Sequence, residues 1–241
     1  MLQIKDLTFG YKKNVPVLKN ISLSLSPGIT LLVGENGSGK STLMHCLTGM
    51  LHGSGEITLE GVPCGSVNYA RMLSYLPQRF DVYPTLKVRE ILRFVAELKG
   101  VAKDNVFTEV ERVAQQANVT PFLNTVFKKC SEGMQRRVGI AAALLGDPKL
   151  VILDEPTAGV DPQERFRFYQ SIKTCFTGKI VLISTHILDD IESLANTVVM
   201  LTKGQIACDL PYEAFVHSLG REATMNELWS YYQEHTNGTV Q

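Results

Sequence analysis

The fold is decided by one stretch, I-T-L-L-V-G-E-N-G-S-G-K-S-T, which runs from Ile29 to Thr42. Its apolar, β-branched start, Ile29–Val33, predicts a buried strand, and the pattern of Leu43–Met50 predicts a helix. Between them stands G-x-x-x-x-G-K-[ST], in the strand–loop–helix context that a phosphate loop requires. Glycines let successive backbone N–H groups face one anion, and the helix N-terminus adds partial positive charge. The stretch therefore predicts phosphate binding, with Lys40 as a mobile cation and Ser41 as a hydroxyl ligand for Mg²⁺.

Composition narrows the classes of protein to consider. The chain has 241 residues, and its 24 Lys and Arg balance its 24 Asp and Glu, so the formal net charge is zero. Because it has no long basic stretch, we expect no nucleic-acid partner. The five cysteines are scattered, which is typical of reduced thiols in a cytosolic protein. No signal segment is expected, and no apolar run approaches the roughly 18 residues that cross a bilayer, so a membrane role would need a partner.

Two kinds of strand are predicted, which together indicate an α/β chain. Continuous apolar runs at Leu150–Leu153 and Ile180–Ser184, like the run before the phosphate loop, are typical of parallel strands covered on both faces. Val198–Leu201 is a weaker candidate of the same kind. Alternating runs predict half-exposed antiparallel strands. The alternating runs are Gln3–Thr8, Ile21–Leu25 and Gly55–Gly61.

Helical spacing of apolar residues predicts a helical insertion between Tyr83 and Asp147 and a helical tail from Tyr212. We therefore expect one domain over residues 1–241, with a helical subdomain at about 83–147 and a C-terminal helical tail at about 209–241. The apolar face of the tail is expected to dock on the core. That face carries Met225, Leu228, Trp229 and Tyr232.

Two carboxylates, Asp154 and Glu155, directly follow the strand Leu150–Leu153. Phosphate-binding α/β sheets present their ligands at the carboxyl ends of strands. We expect Asp154 to lie near the Mg²⁺ held by Ser41. Glu155 points elsewhere and can polarise an attacking water.

Three further positions are candidates for the same chemistry. His186 follows the strand Ile180–Ser184, so it can reach a γ-phosphate, although a lone histidine is usually structural. Gln78 closes the apolar stretch Y-L-P-Q, from which an amide can contact both metal and water. Ser131 precedes the helical run Val138–Leu145 as an N-cap, which is a second anion site or a plain helix cap.

Taken in order, these motifs resemble the nucleotide-binding subunit of an ATP-binding cassette (ABC) transporter, over nearly the whole chain. The resemblance implies the mixed sheet core of a P-loop NTPase, with an antiparallel β subdomain and a helical insertion that carries the signature motif. It implies ATP and Mg²⁺ as cofactors, with Gln78, Glu155 and His186 as catalytic residues. By the same resemblance, the metal ligands are Ser41, Gln78 and Asp154, and the nucleotide-binding residues are Tyr11, Gly34, Asn36, Gly37, Ser38, Gly39, Lys40, Ser41, Thr42, Ser131, Gly133 and the D-loop residue Asp161.

The resemblance also implies partners. Two cassettes, identical or different, pair head to tail, so that Ser131 and Gly133 of one chain cap ATP on the phosphate loop of the other. ATP binding and hydrolysis then drive a separate membrane permease, which holds the subunit at the cytoplasmic face of the cell membrane. The region Tyr75–Glu97, the signature S-x-G-M-Q-R-R and the D-loop G-V-D-P are most similar to the exporter branch. The cargo, the identity of the permease and proof of direction are not encoded in this chain.

One departure from the family pattern matters for the chemistry. The usual signature L-S-G-G-Q reads C-S-E-G-M from Cys130 to Met134, which places Glu132 where the family has glycine. Position 132 would contribute mainly its backbone N–H, which a side chain does not remove, but a carboxylate close to a γ-phosphate is repulsive. The sequence leaves open how Glu132 affects the ATP affinity of the closed dimer.

Other functions fit parts of the pattern. A cassette protein of translation or DNA repair would have no membrane partner, but such proteins usually carry two cassettes or a long coiled coil. A GTPase or small-molecule kinase is a third possibility, and the guanine-reading N-K-x-D is absent. A nucleotide-dependent regulator without turnover is a fourth. Phosphate release discriminates the regulator from an ATPase.

A short apolar segment after Gln78 is a candidate contact with the membrane subunit, because the resembling family docks a helix of that subunit there. Exposed apolar clusters often mark interaction sites. The alternative is that these side chains pack the helical insertion onto the sheet. The segment contains Phe80, Val82, Tyr83 and Leu86.

Overall fold

The computed structural model describes residues 1–78, 80 and 82–219. It contains ten strands and eight α-helices within those residues. The strands are β1 (Leu2–Phe9), β2 (Leu18–Leu25), β3 (Gly28–Val33), β4 (Ser54–Leu59), β5 (Val62–Pro63), β6 (Leu73–Leu76), β7 (Leu150–Asp154), β8 (Ile180–Thr185), β9 (Thr197–Thr202) and β10 (Gln205–Pro211). The helices are α1 (Lys40–Leu47), α2 (Val67–Met72), α3 (Val88–Leu98), α4 (Val106–Gln116), α5 (Glu132–Leu144), α6 (Pro162–Cys175), α7 (Leu188–Leu194) and α8 (Tyr212–Leu219).

The central layer is a six-stranded sheet in the order β10-β9-β3-β8-β7-β6. Strands β9, β3, β8, β7 and β6 are mutually parallel, and β10 is antiparallel to β9. The apolar runs predicted to be parallel strands all lie in this sheet, including the weak candidate at β9. Their carboxyl ends share one edge, so the residues that follow β3, β6, β7 and β8 are brought together there.

A second sheet is antiparallel, in the order β2-β1-β4-β5, as the alternating runs predict. Its apolar face packs with α1 against one face of the central sheet. The side chains of β3 show how this works, because the period of two along a strand divides them between two cores. Leu32 points into the core shared with the antiparallel sheet, whereas Leu31 and Val33 point into the opposite core.

The opposite core is covered by helices, which include those predicted between Tyr83 and Asp147. In α3, Val88, Ile91 and Leu92 are buried at helical spacing, and α4 buries Val110 in the same manner. The helix α5 packs against α3, α4, α6 and the edge strand β6. The segment that carries Ser131 is therefore attached to the central sheet mainly through helices.

The sequence patterns do not predict two strands of the central sheet, β6 and β10. The strand β6 has only four residues, and β10 mixes polar and apolar residues up to Pro211. Because β10 continues through Pro211, the helical tail expected from about residue 209 begins at Tyr212. The proposed docking face of that tail, at residues 225–232, lies outside the described residues. None of the described helices is long and apolar enough to cross a membrane.

Candidate active site at the edge of the parallel sheet

The phosphate loop joins β3 to α1, and its glycines are required by its geometry. Gly37 has a φ of +83° and Gly39, the N-cap residue of α1, a φ of +111°, both in the left-handed region that favours glycine. At Gly34, a Cβ atom would lie 2.5 Å from Ser38 Oγ and 2.6 Å from the carbonyl oxygen of Leu201. The buried Ser38 Oγ has no hydrogen-bond partner in the described residues. The loop is thus a tight cradle with an unpaired polar atom, which suits an anion.

Lys40 is folded into this loop. Its Nζ donates hydrogen bonds to the carbonyl oxygens of Gly34, at 2.6 Å, and Glu35, at 3.1 Å. Burial lowers the pKa of Lys40, and the nearby Glu155 and Asp154 partly oppose that shift. The ammonium group therefore lies within the electrostatic reach of both carboxylates at the end of β7.

Asp154 is oriented by side chains that the sequence patterns do not single out. Its Oδ1 accepts from Ser184 Oγ at 2.5 Å, and its Oδ2 accepts from the Tyr75 hydroxyl at 3.4 Å. Ser184 Oγ also accepts from the backbone N–H of Glu155 at 2.8 Å. Burial and Asp154 raise the pKa of Tyr75 to about 12, so Tyr75 remains a donor at neutral pH. Ser184, near the end of β8, thus contacts both acidic residues at the end of the neighbouring strand β7.

Gln78 and His186, the other two predicted catalytic residues, both contact Glu155. Its Oε2 accepts from Gln78 Nε2 at 3.1 Å, and its Oε1 lies 3.2 Å from His186 Nδ1. The Glu155 side chain is 17% exposed and the His186 side chain 51%. The backbone φ of Glu155 is +45°, an uncommon value for a residue other than glycine. The backbone therefore turns directly after β7, so that Asp154 and Glu155 face different partners, as expected from the sequence.

The residues present fit a magnesium ion. Hydroxyl, amide and carboxylate oxygens are the ligands that Mg²⁺ prefers, and it is usually held by one or two carboxylates plus phosphate oxygens. Asp154 supplies a carboxylate, Gln78 an amide and Ser41 an exposed hydroxyl at the start of α1. Within the described residues no cluster of three or more His, Cys, Asp or Glu residues could hold a metal by itself.

Tyr11 lies beside the phosphate-loop helix. Its hydroxyl is 3.3 Å from Thr42 Oγ1, and its ring packs edge-on against Phe9 with centroids 5.0 Å apart. The residue is 64% exposed, which leaves ring surface open to solvent. Asn36 and Gly37, at the tip of the loop, are exposed as well.

Ser131 and Gly133 form a separate candidate site at the start of α5. Ser131 is the N-cap predicted from the sequence, and its Oγ accepts from the backbone N–H of Met134 at 3.3 Å. Glu132 is the first helical residue and is exposed. Arg136, one turn further on, donates to the carbonyl oxygens of Pro156, at 2.8 Å, and of Ala158, at 3.0 Å. The helix α5, which carries Gly133 of the signature motif, is thus hydrogen-bonded to the loop after Glu155.

The D-loop, which runs from Ala158 to Asp161, is held within its own chain. Arg165, from α6, donates to the carbonyl oxygen of Val160 at 3.1 Å, and its backbone N–H donates to the carbonyl oxygen of Asp161 at 2.8 Å. Asp161 is exposed. The sequence patterns did not assign a partner to Arg136 or Arg165, because an arginine in a helix gives no sign of which distant carbonyl it contacts.

The segment after Gln78 is mostly packed rather than exposed, contrary to part of our sequence interpretation. Phe80 and Leu86 are partly buried against the helical core, and the Phe80 ring lies 6.1 Å, centroid to centroid, from Phe127. Val82 packs against the same core, whereas Tyr83 is 68% exposed. The exposed apolar rim is therefore reduced to Tyr83.

Comparisons with known proteins identify the family of this chain. Residues 18–158 match the protein family described as ABC transporter. The chain is 32% identical to the linearmycin resistance ATP-binding protein LnrL of Bacillus subtilis over 211 residues, which cover 86% of this chain and 68% of that protein. It is also 32% identical to ABC transporter A family member 1 of Dictyostelium discoideum over 205 residues, or 83% of this chain and 23% of that protein.

A solved ATP-binding subunit of an ABC transporter superposes with a TM-score of 0.82 at 27% identity, covering 97% of this chain and 99% of the other. The chain spans 13% to 23% of the length of the A-family relatives that it matches. It belongs to the ABC transporter family of ATP-binding proteins.

Proposed function

We propose that this chain binds and hydrolyses ATP with Mg²⁺ and works as the ATPase subunit of a transporter whose membrane permease is a separate chain. One observation carries the proposal: Gln78 and His186 both contact Glu155, beside the phosphate loop. A regulator that only binds nucleotide would have no need for this arrangement.

Phosphate binding uses groups that are already in place. The ammonium of Lys40 exchanges its bonds with the carbonyls of Gly34 and Glu35 for bonds with the β- and γ-phosphates. The backbone N–H groups of the loop and the N-terminus of α1 face the same anion. The exposed ring of Tyr11 stacks on the adenine, beside Thr42.

Hydrolysis uses the cluster around Glu155. Its carboxylate accepts a proton from the attacking water, as a general base, and the amide of Gln78 orients that water. His186, which contacts Glu155 through Nδ1, offers Nε2 to the γ-phosphate. Ser41, Gln78 and Asp154 would hold Mg²⁺, which would supply positive charge against the phosphates.

A complete site requires two chains in this proposal. Ser131 and Gly133 lie at the start of α5, which packs against α3, α4, α6 and β6. Paired head to tail, each chain presents the N-terminus of α5 and Asp161 to the nucleotide on its partner. ATP then contacts two chains only in the closed pair, so its binding energy favours closure.

Mixing two defective chains tests this pairing. Lys40→Ala weakens ATP binding to the phosphate loop and Ser131→Arg blocks the signature end, so at an ATP concentration near the wild-type Kd each chain alone should release little phosphate. The mixed pair keeps one site with both halves intact and should recover activity. Chain exchange is verified by differential tags, and a Ser54→Arg chain, changed at an exposed residue of β4, controls for the added charge. Exchange without recovered phosphate release would contradict the two-chain site.

The membrane partner is proposed to contact the surface around Tyr83. This side chain is exposed next to the segment that leads to Gln78, so contact there is linked to the ATP site. Such a partner would hold the chain at the cytoplasmic face of the membrane. The relative LnrL is named for resistance to linearmycin, and with the exporter-like motifs it supports export as the direction of transport.

Replacing Tyr83 with serine should abolish co-purification with the permease but leave thermal stability and basal ATPase activity near wild type. Val67 is 70% exposed, on α2, and Val67→Ser provides a matched control. Equal capture of the permease by both variants would remove Tyr83 from the contact. Loss of folding in Tyr83→Ser would instead assign the residue to the core.

A further inference from the structure

A buried carboxylate lies behind the catalytic cluster. Asp190, on α7, is 0% exposed and accepts hydrogen bonds from three hydroxyl groups. Thr157 Oγ1 donates to its Oδ2 at 2.6 Å, and Thr185 Oγ1 donates to the same oxygen. The Tyr169 hydroxyl, from α6, donates to Oδ1 at 2.6 Å. All three donors are themselves buried.

The two donors on Oδ2 are adjacent to the proposed catalytic residues along the chain. Thr157 comes two residues after Glu155, and Thr185 directly precedes His186. Thr185 Oγ1 also accepts from the backbone N–H of Ile187 at 3.0 Å, which fixes the chain on the other side of His186. A single carboxylate oxygen therefore joins the loops that carry Glu155 and His186.

We infer that Asp190 is a positioning residue for ATP hydrolysis, which sets the spacing of Glu155 and His186 by holding Thr157 and Thr185 on one oxygen atom. This inference rests on the proposed function. A buried carboxylate costs free energy unless its oxygens are hydrogen-bonded, so its presence calls for a role that packed apolar residues would not fill. Small displacements of catalytic groups lower turnover strongly, which gives such a link kinetic importance.

The arrangement contains its own control. Tyr169 bonds to the same carboxylate but through Oδ1, and it comes from α6 rather than from a catalytic loop. Thr185→Val, Thr157→Val and Tyr169→Phe each delete one hydroxyl with little change of volume. If Asp190 only stabilises the fold, the three variants should behave alike.

We expect Asp190→Asn to lower kcat by at least about tenfold, and Thr185→Val and Thr157→Val by roughly three- to tenfold, through misplaced catalytic groups. The Kd for ATP should stay within about twofold of wild type, because no contact of the phosphate loop is changed. Tyr169→Phe should reduce the melting temperature as much as Thr185→Val but leave kcat near wild type. Glu192→Gln, at an exposed position of α7, should change neither quantity.

Equal losses of kcat in Tyr169→Phe and Thr185→Val would overturn the inference, as would unchanged kcat in both threonine variants. If Asp190→Asn fails to fold, the kcat values of the threonine and tyrosine variants still test whether Asp190 positions the catalytic residues. Wild-type protein that releases no phosphate from ATP would instead refute the proposed function, so the two failures are distinguishable.

Discussion

The two ends of the candidate ATP site are built in different ways. At the edge of the central sheet, residues that follow β6, β7 and β8 reach one another through direct hydrogen bonds within one chain. At the start of α5, Ser131 caps its own helix, and the helix is tied to the D-loop side through Arg136. The strand ends of the parallel sheet thus bring the proposed catalytic residues together within one chain. The N-terminus of α5, in contrast, supplies only one half of the proposed ATP site.

Replacing Glu155, which lies at the centre of the cluster at the edge of the sheet, should have the largest effect on activity. We expect Glu155→Gln to slow ATP turnover by roughly 10²- to 10⁴-fold, as when a general base is lost. Binding should persist, because the phosphate loop is intact, and the ATP-bound protein should elute as a dimer in size-exclusion chromatography. Phosphate release and elution volume are the measurements, with Glu192→Gln as the control. Turnover at the wild-type rate would exclude Glu155 as the base.

Breaking the phosphate loop should weaken binding rather than chemistry. Lys40→Ala removes a charged donor to the phosphates, and loss of one such hydrogen bond costs roughly 1.5–3 kcal/mol, so the Kd for ATP should rise by at least about 10- to 100-fold. Titration with a fluorescent ATP analogue measures the change, and Lys19→Ala on the exposed side of β2 is the control. An unchanged Kd would separate Lys40 from the nucleotide.

The attachment of the helices to the sheet can be probed through Lys99, just after α3. Its Nζ donates to Ser74 Oγ at 2.5 Å on β6, and burial lowers the pKa of Lys99 from 10.5 to about 8. Between these pH values the unfolded chain binds more protons at this residue, so the free energy of unfolding should rise as pH increases from about 8 to 10. Relative to Lys99→Met, we expect the free energy of unfolding of the wild type to increase by about 1–2 kcal/mol over this pH range, as measured by urea denaturation. Parallel pH profiles of the two proteins would contradict the lowered pKa.

The signature end should show the smallest effect, and only when two chains meet. Glu132→Gly removes a carboxylate that would approach a phosphate on the partner, so ATP affinity should increase roughly two- to fivefold in the Glu155→Gln dimer. The monomer, isolated by dilution, should show no change. Glu132→Gln tests whether charge or size matters, and no gain in either variant would show that the carboxylate points away from the nucleotide.

Sequence patterns predicted the sheet end well because its parts follow from local rules. The apolar runs of the sequence end at Val33, Leu153 and Ser184, and parallel strands bring such ends to one edge. The supports behind them were not predictable: Tyr75 lies on a four-residue strand, and Asp190 is one of several acids in a short helix. Most of their partners are distant along the chain, such as Asp154 for Tyr75 and Thr157 for Asp190, and pairings of that kind leave no periodicity.

The same difference explains the errors at the helical end. Phe80, Val82 and Leu86 look like an exposed cluster in the sequence, because composition does not show which surface a loop covers. In the structure they close the gap between the helices and the sheet, and Tyr83 alone remains exposed among them. The capping role of Ser131 was predictable because capping involves neighbours only three residues away.

The left-handed backbone at Glu155 has a consequence for the engineering of this chain. A φ of +45° is strained for glutamate, at a cost of order 1–3 kcal/mol, and glycine would relieve it. Glycine at position 155 would relieve the strained φ but would also remove the carboxylate that Gln78 and His186 contact. In the proposed mechanism that carboxylate is the base, so stability-guided engineering of this protein should hold position 155 fixed.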